Sequence, residues 1–244
     1  MQHSTARATR AGLPRPLGMG DERLIGALQA PGCGLCEFAH RGGREYLGSV
    51  LGEHVNDREF RRRFQEAGGF CARHTVAAAQ VERQRSGGML GAAILYRAML
   101  TGRRESLARA LAGGRPSDRQ LRESIAPARA CLACAQETIV VQDAVGRVIE
   151  HAARDPGWEQ ALVHGAWCIA HVGALAAALA AGRQDGRLAS FRTGQLERLA
   201  ELDARLERFI HHSATDRRHL QSDEERAAVT ETAWTLAGGD AEAG

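Results

Sequence analysis

Cys33-Gly-Leu-Cys36 and Cys71-Ala-Arg-His74 form the first of two matching sets in this chain, and Cys131-Leu-Ala-Cys134 and Cys168-Ile-Ala-His171 form the second. All six cysteines of the sequence belong to these sets. Each set offers three thiolates and one imidazole, which are the ligands of a closed tetrahedral Cys3His site. The sequence therefore predicts two metal sites and eight protein ligands.

The two sets are part of a longer internal repeat. Gly68-Gly-Phe-Cys71 lies at the same place in the first copy as Gly165-Ala-Trp-Cys168 in the second. Asp57 and Asp155 also correspond. A match in order and spacing indicates duplication of a whole supersecondary unit. We therefore expect two pseudo-symmetric lobes, with the aromatic residue before each inner cysteine buried against its site.

The composition and the apolar periodicity both predict an all-α fold. The 244 residues are 44% hydrophobic and 25% charged, and Ala, Leu, Arg and Glu, which favour helix, are abundant. Each copy has three predicted helices: a long one from the CxxC to about Glu53 or Glu150, a short one capped by Asp57 or Asp155, and a third that begins at the CxxH. We find no alternation typical of strands.

The expected path of the chain closes each site within its own copy. A long helix of nineteen residues would carry the chain about 28 Å from the CxxC. The short helix and its glycine turn would then bring the chain back. On this path the first lobe holds one ion and the second lobe the other, with the following ligands: Cys33, Cys36, Cys71 and His74; Cys131, Cys134, Cys168 and His171.

The predicted domain organisation has five segments. Residues 1–21 are expected to form a flexible tail, 22–113 the first lobe, 114–120 a linker, 121–237 the second lobe with C-terminal helices, and 238–244 a second tail. The first residues lack the apolar region of a secretory signal, and no apolar run has the length of a membrane span. These features predict a cytoplasmic protein without membrane contact.

Residue usage excludes some function classes. The chain has no lysine, so all 32 basic side chains are arginine, and neither a Walker A loop nor a Schiff-base lysine is present. The formal net charge of +3 is weak support for a nucleic-acid partner. Six cysteines also permit disulfides, but a reducing compartment favours metal binding.

Two interpretations of the metal and of the function remain open. The first is a pair of structural zinc ions in a helical module that acts by binding a protein or nucleic-acid partner. Fully coordinated sites leave no open position for a substrate, so no catalytic residue is predicted and an enzyme is not favoured. The second is an iron–sulfur or dithiol protein that carries electrons or senses oxidant. The oligomeric state is left open.

Two further groups of polar residues are repeated or clustered. Glu53-His54 and Glu150-His151 correspond between the copies and could form a carboxylate–imidazole site between the lobes, but helix-end residues that pair with arginine are the favoured interpretation. The run Arg61–Arg63 could bind phosphate, although the nearby Glu66 favours a solvated helix face.

Several of these motifs resemble a bacterial family catalogued as domain of unknown function 6062. The resemblance rests on both CxxC and both CxxH motifs, on Glu53-x-x-Asn56-Asp57-x-x-Phe60, and on a C-terminal pattern from Phe209 to Gly238. Gly34 departs from the family, which often has proline there. The resemblance implies a helical, two-lobed, cytoplasmic protein, and it implies no reaction.

Overall fold

The fold is all-α, as predicted. The structure is a computed structural model that describes residue 14 and residues 16–18, 20–112, 117–119, 130–214 and 216–238. These residues form helices and no strand. In chain order the α-helices are α1 (Asp21–Leu28), α2 (Gly34–Ser49), α3 (Arg58–Glu66), α4 (Ala72–Ser86), α5 (Leu90–Leu111), α6 (Leu132–Ala152), α7 (Pro156–His164), α8 (Ile169–Ala181), α9 (Asp185–His212) and α10 (Asp223–Ala237).

The predicted order of helices occurs in both copies. A long helix, a short helix and a third helix follow one another as α2, α3 and α4 and again as α6, α7 and α8. Both short helices are capped as expected: Asp57 Oδ1 accepts a hydrogen bond from the Phe60 amide at 2.6 Å, and Asp155 Oδ1 accepts one from the Trp158 amide at 3.0 Å. The pseudo-twofold relation between the copies stays a prediction.

The compact units of the structure differ from the predicted lobes. Unit 1 takes the described residues of Met1–Phe38 and Val141–Gly244, and unit 2 consists of those in Ala39–Val140. The division falls inside α2 and inside α6, because each long helix contributes apolar residues to both cores. The predicted tails 1–21 and 238–244 and the predicted linker 114–120 lie largely outside the described residues.

The core of unit 1 is built from α1, the second half of α6 and the helices that follow it. Its largest side chains are at most 1% exposed and include Trp158, Trp167, Leu175, Leu179 and Phe191. The long helix α9 packs against α7, α8 and α10. Trp167 Nε1 donates to Leu162 O at 2.9 Å, so the buried indole has its hydrogen-bond partner.

A buried carboxylate attaches α1 to α6 in unit 1. Asp21 is 2% exposed and accepts hydrogen bonds from Arg147, from the Leu17 amide at 2.9 Å and from His151 Nε2 at 3.0 Å. Burial raises the pKa of Asp21, but the hydrogen bonds from Arg147 and Leu17 outweigh this effect and lower it to about 2. Asp21 is therefore ionised at neutral pH, and its charge is compensated by Arg147.

The core of unit 2 combines the end of α2, the start of α6 and the helices α3, α4 and α5. Phe64 stacks on Phe60 with ring centroids 5.6 Å apart and meets the edge of Phe70 at 4.8 Å. The helices α2 and α6 approach closely here, since a side chain at Gly43 would lie within 3.0 Å of Glu137. This close approach places the first turn of α6 next to the core that holds Phe70.

Within the described ranges, no helix has both the length and the apolar character that crossing a bilayer requires.

Candidate metal centres

The eight predicted ligands form two groups, and each group combines the CxxC of one copy with the CxxH of the other. Site 1 contains Cys33, Cys36, Cys168 and His171, and site 2 contains Cys71, His74, Cys131 and Cys134. Within each group all ligand atoms lie within 4.8 Å of one another. The predicted pairing within one copy is therefore wrong, although the set of residues is the predicted one.

The length of α2 explains this exchange. The helix and the π-helical turn Val50–His54 that continues it carry the chain about 28 Å from Cys36. The nine residues of α3 span only about 14 Å. The segments on either side are tight turns, closed by hydrogen bonds of 2.9 Å from Asp57 N to His54 O and from Gly69 N to Phe64 O, so this path does not return Cys71 to its starting point. Cys71 instead follows Phe70, whose core also contains Leu132 and Ala133 at the start of α6. The CxxC of the second copy is thus the one within reach.

All four motifs have the same local structure at the N-terminus of a helix. The carbonyl oxygens of the first cysteines, Cys33, Cys71, Cys131 and Cys168, accept the first intrahelical hydrogen bonds of α2, α4, α6 and α8 at 2.8 to 3.0 Å. The second ligand of each motif lies three residues later, on the same face of the helix. Two helix N-termini therefore converge on each site. Their partial positive charge stabilises thiolates.

The ligand atoms of site 1 lie at the corners of a tetrahedron with the size expected for zinc. The Sγ atoms of Cys36 and Cys168 are 3.8 Å apart, and the distances from His171 Nδ1 to the three sulfurs are 3.2, 3.4 and 3.3 Å. A tetrahedral ion with bonds of about 2.3 Å to sulfur and about 2.0 Å to nitrogen gives sulfur–sulfur separations of about 3.8 Å and sulfur–nitrogen separations of about 3.5 Å. The arrangement fits one ion.

Site 2 has the same geometry. Cys71 Sγ and Cys134 Sγ are 3.7 Å apart, and His74 Nδ1 lies 3.3, 3.6 and 3.4 Å from the sulfurs of Cys71, Cys131 and Cys134. A disulfide would need its sulfurs about 2.05 Å apart. All six cysteines are free thiols. Both groups are therefore arranged for a metal ion.

The three cysteines of site 1 are buried, and His171 is partly buried. Cys33, Cys36 and Cys168 are 2%, 8% and 1% exposed. Gly238, in the segment that follows α10, lies so close that a Cβ atom there would be 3.4 Å from Cys36 Sγ and 3.5 Å from Cys168 Sγ. Arg198 donates to Trp167 O at 2.7 Å and so fixes the segment just before Cys168. As predicted, Trp167 is buried beside its site, with an exposure of 1%.

Site 2 differs through a buried carboxylate that supports its histidine. The Cys71, Cys131 and Cys134 residues are only partly buried, whereas His74 is 2% exposed. His74 Nε2 lies 3.1 Å from Glu137 Oε1, and Arg73 forms an ion pair with the same carboxylate. A proton held on Nε2 by Glu137 leaves the Nδ1 lone pair free for the metal. Glu137 was not among the sequence-predicted residues.

The protonation of the metal-free groups follows from these contacts. Burial lowers the pKa of His74, but hydrogen bonds with Cys131 and Glu137 outweigh it and raise the pKa to about 10. Burial raises the pKa of Cys131, yet the hydrogen bond with His74 is among those that lower it to about 6. In site 1, hydrogen bonds with Cys168 and Cys33 likewise raise the pKa of His171 to about 9 against burial. A metal ion must displace these protons, so its affinity falls as pH is lowered.

The repeated Glu-His pairs have separate surroundings. Glu53 and His54 are exposed in unit 2, with 3.8 Å between Glu53 Oε2 and His54 Nε2. In unit 1, Glu150 pairs with Arg154 at 2.9 Å, and His151 turns inward. In the part of the chain that the structure describes, neither pair belongs to a group of three or more metal-ligating side chains. Of these four residues, Glu150 has the arginine partner that the favoured interpretation expects, whereas His151 contacts the buried Asp21.

Comparisons with family models, curated proteins and solved structures find no match to this chain. The resemblance to domain of unknown function 6062 therefore stays a prediction. The geometry of the two groups is the main guide to function.

Replacing the supporting carboxylate is expected to loosen site 2 selectively. Glu137→Gln removes the negative charge that holds His74, and loss of such a partner typically weakens metal binding about 10- to 100-fold. Competition with a colorimetric chelator should then show one ion leaving earlier than in the unmodified chain. The matched control is Glu150→Gln, an exposed position on the same helix. Equal chelation curves for Glu137→Gln and the unmodified chain would show that the carboxylate has no such role.

Proposed function

We propose that each unit binds one structural zinc ion and that the folded chain acts as a binding module for a protein or nucleic-acid partner. The observation that carries the metal assignment is the convergence of four ligand atoms in each group, all within 4.8 Å of one another and with four of the six distances between 3.2 and 3.8 Å. The thiolate-rich donor set favours zinc over oxygen-seeking cations.

The number of ligands supports a structural role. Each group supplies four protein atoms, which complete the tetrahedral coordination of zinc. Catalytic zinc sites usually have three protein ligands and one open position for water or substrate. The two sites also join segments that are distant in the sequence, such as Cys33 with Cys168 and Cys71 with Cys131. Such links contribute to folding free energy.

The alternative of an iron–sulfur cluster is less well supported by the distances. The four ligands of a cluster are distributed over at least two iron atoms, so they cannot all lie as close together as the ligands of one ion. In each group all four ligand atoms lie within 4.8 Å of one another. The Sγ–Sγ distances of 3.8 Å in site 1 and 3.7 Å in site 2 suit a mononuclear centre. Reduced thiols of this kind also fit the proposed cytoplasmic location, because that compartment keeps thiols reduced.

Metal analysis of protein purified without oxygen tests this proposal. We expect a colourless protein that contains two zinc ions per chain by native mass spectrometry and elemental analysis. Brown protein with stoichiometric iron and acid-labile sulfide would replace the zinc assignment with the redox alternative. Fully reduced protein that takes up no metal would contradict both metal assignments and leave the dithiol alternative.

A further inference from the structure

A cleft of about 790 Å³ lies in unit 2, outside the residues of site 2. It is formed by α3, by the turn after α3 and by the middle of α5. Its volume falls in the range of pockets that hold small molecules, about 300–1,000 Å³. The proposed metal-binding function does not use this cleft.

The floor of the cleft is apolar and has a fixed shape. The partly exposed residues Ile94, Ala98 and Met99 contribute apolar surface, with the buried Phe64 beneath them. The turn beside them uses Gly68 and Gly69, with φ angles of 68° and 94° that favour glycine. A Cβ atom at Gly69 would also lie 2.7 Å from Met99 Sδ. Glycine is therefore needed here for both backbone conformation and space.

Guanidinium groups dominate the charge of the lining. Arg61, Arg97 and Arg103 line the cleft together with the carboxylates of Glu66 and Glu105. Arg103 donates to Gly68 O at 3.0 Å, which orients it along the turn. Glu66 is already paired with Arg62, which is not a lining residue, so its charge is compensated from outside. The cleft thus has an excess of positive charge.

Two of these guanidinium groups have no partner of their own. Among the described residues, the side chains of Arg61 and Arg97 make no hydrogen bond or ion pair. An arginine without a carboxylate partner can bind a carboxylate or phosphate through two parallel hydrogen bonds. Asn56 and Thr101 add neutral polar groups to the same lining. An apolar floor with convergent cationic and polar groups is typical of a ligand site.

We propose that this cleft binds a small organic anion, in which a carboxylate or phosphate contacts Arg61 and Arg97 and an apolar body rests on Ile94 and Met99. The site is separate from the metal ligands, although Gly69 precedes Cys71 by only two residues. Binding is therefore tested on the full, zinc-loaded chain, with its zinc content measured before and after titration.

Isothermal titration with three small probes tests the chemistry of the site. We expect phenyl phosphate or benzoate to bind, and the tighter of the two identifies the anionic group that the cleft prefers. Benzyl alcohol, which has a similar apolar body and no charge, is expected to bind at least tenfold more weakly than that probe. Equal affinity for benzyl alcohol and both anions, or no binding of either anion, would overturn the proposal.

Two pairs of variants locate the binding in the cleft. Arg97→Gln is expected to lower the affinity for the preferred anion about tenfold, because one charged hydrogen-bonding group is lost. Arg104→Gln, on the same helix but outside the lining, is expected to leave affinity unchanged. Gly102→Leu should block the cleft, because this glycine lines it and an added Cβ atom would meet no other atom within 4 Å. Gly146→Leu, at an equally open position in unit 1, should not. Identical affinities across either pair would show that the anion binds elsewhere.

Discussion

A chain with both Cys33→Ser and Cys168→Ser is expected to retain one zinc ion, whereas a chain with both Cys33→Ser and Cys71→Ser is expected to retain none. The reason is that Cys33 and Cys168 belong to site 1, so the first pair of changes damages one site only. Cys33 and Cys71 belong to different sites, so the second pair damages both. Native mass spectrometry counts the ions directly.

The same variants test the alternative arrangement, because closure within each copy reverses both results. In that case Cys33→Ser with Cys71→Ser would keep one ion, and Cys33→Ser with Cys168→Ser would keep none. The free energies of unfolding provide an independent check. The losses of unfolding free energy caused by two substitutions in one site are expected to be strongly non-additive. The losses caused by substitutions in different sites should add within about 0.5 kcal/mol. The single variants, with one ion each, serve as controls.

Local features of the fold were predictable from the sequence because they depend on neighbouring residues. The spacing of apolar residues predicted the long helices, and Asp57 and Asp155 predicted the starts of the short ones. The spacing within each motif predicted that both of its ligands share one helix face. These features require no knowledge of which helices pack together.

The pairing of the motifs was not predictable in the same way. Both pairings use the same residues and the same spacers, so the choice depends on how α2 and α6 pack. One signal was available in the sequence, since the short helix is too short to reverse the path of the long one. Glu137 was missed for another reason: the corresponding residue of the first copy is Ala39, so comparison of the copies did not reveal it.

The arginine-lined cleft also depends on helix packing and was not predicted from the sequence. The sequence placed Arg61–Arg63 on a solvated face, and Arg62 does pair with Glu59 and Glu66 at the surface. Other residues that line the cleft with Arg61, such as Arg97, lie more than thirty residues away on α5. Only the packing of α3 against α5 brings these groups to one cleft.

Removing zinc is expected to unfold both units, with a separate spectroscopic signal for unit 1. The apparent binding free energy of structural zinc is on the order of 10–16 kcal/mol, and it contributes directly to folding. All three tryptophans, Trp158, Trp167 and Trp234, lie in unit 1, whereas both tyrosines lie in unit 2. Trp158 and Trp167 are at most 1% exposed. A chelator should therefore lower the melting temperature and shift tryptophan emission to longer wavelength.

Single variants assign this signal to its site. Cys168→Ser should shift tryptophan emission and destabilise the chain by several kcal/mol, while Cys71→Ser should destabilise it similarly and leave the emission near its original wavelength. Ala180→Ser, an exposed serine substitution on the same helix as His171, should change stability by less than about 0.5 kcal/mol. A metal-free chain as stable as the loaded one would contradict a structural role. In that case, serine variants that lose visible absorbance but keep their helical content would favour the redox alternative, since the centre would then be dispensable for folding.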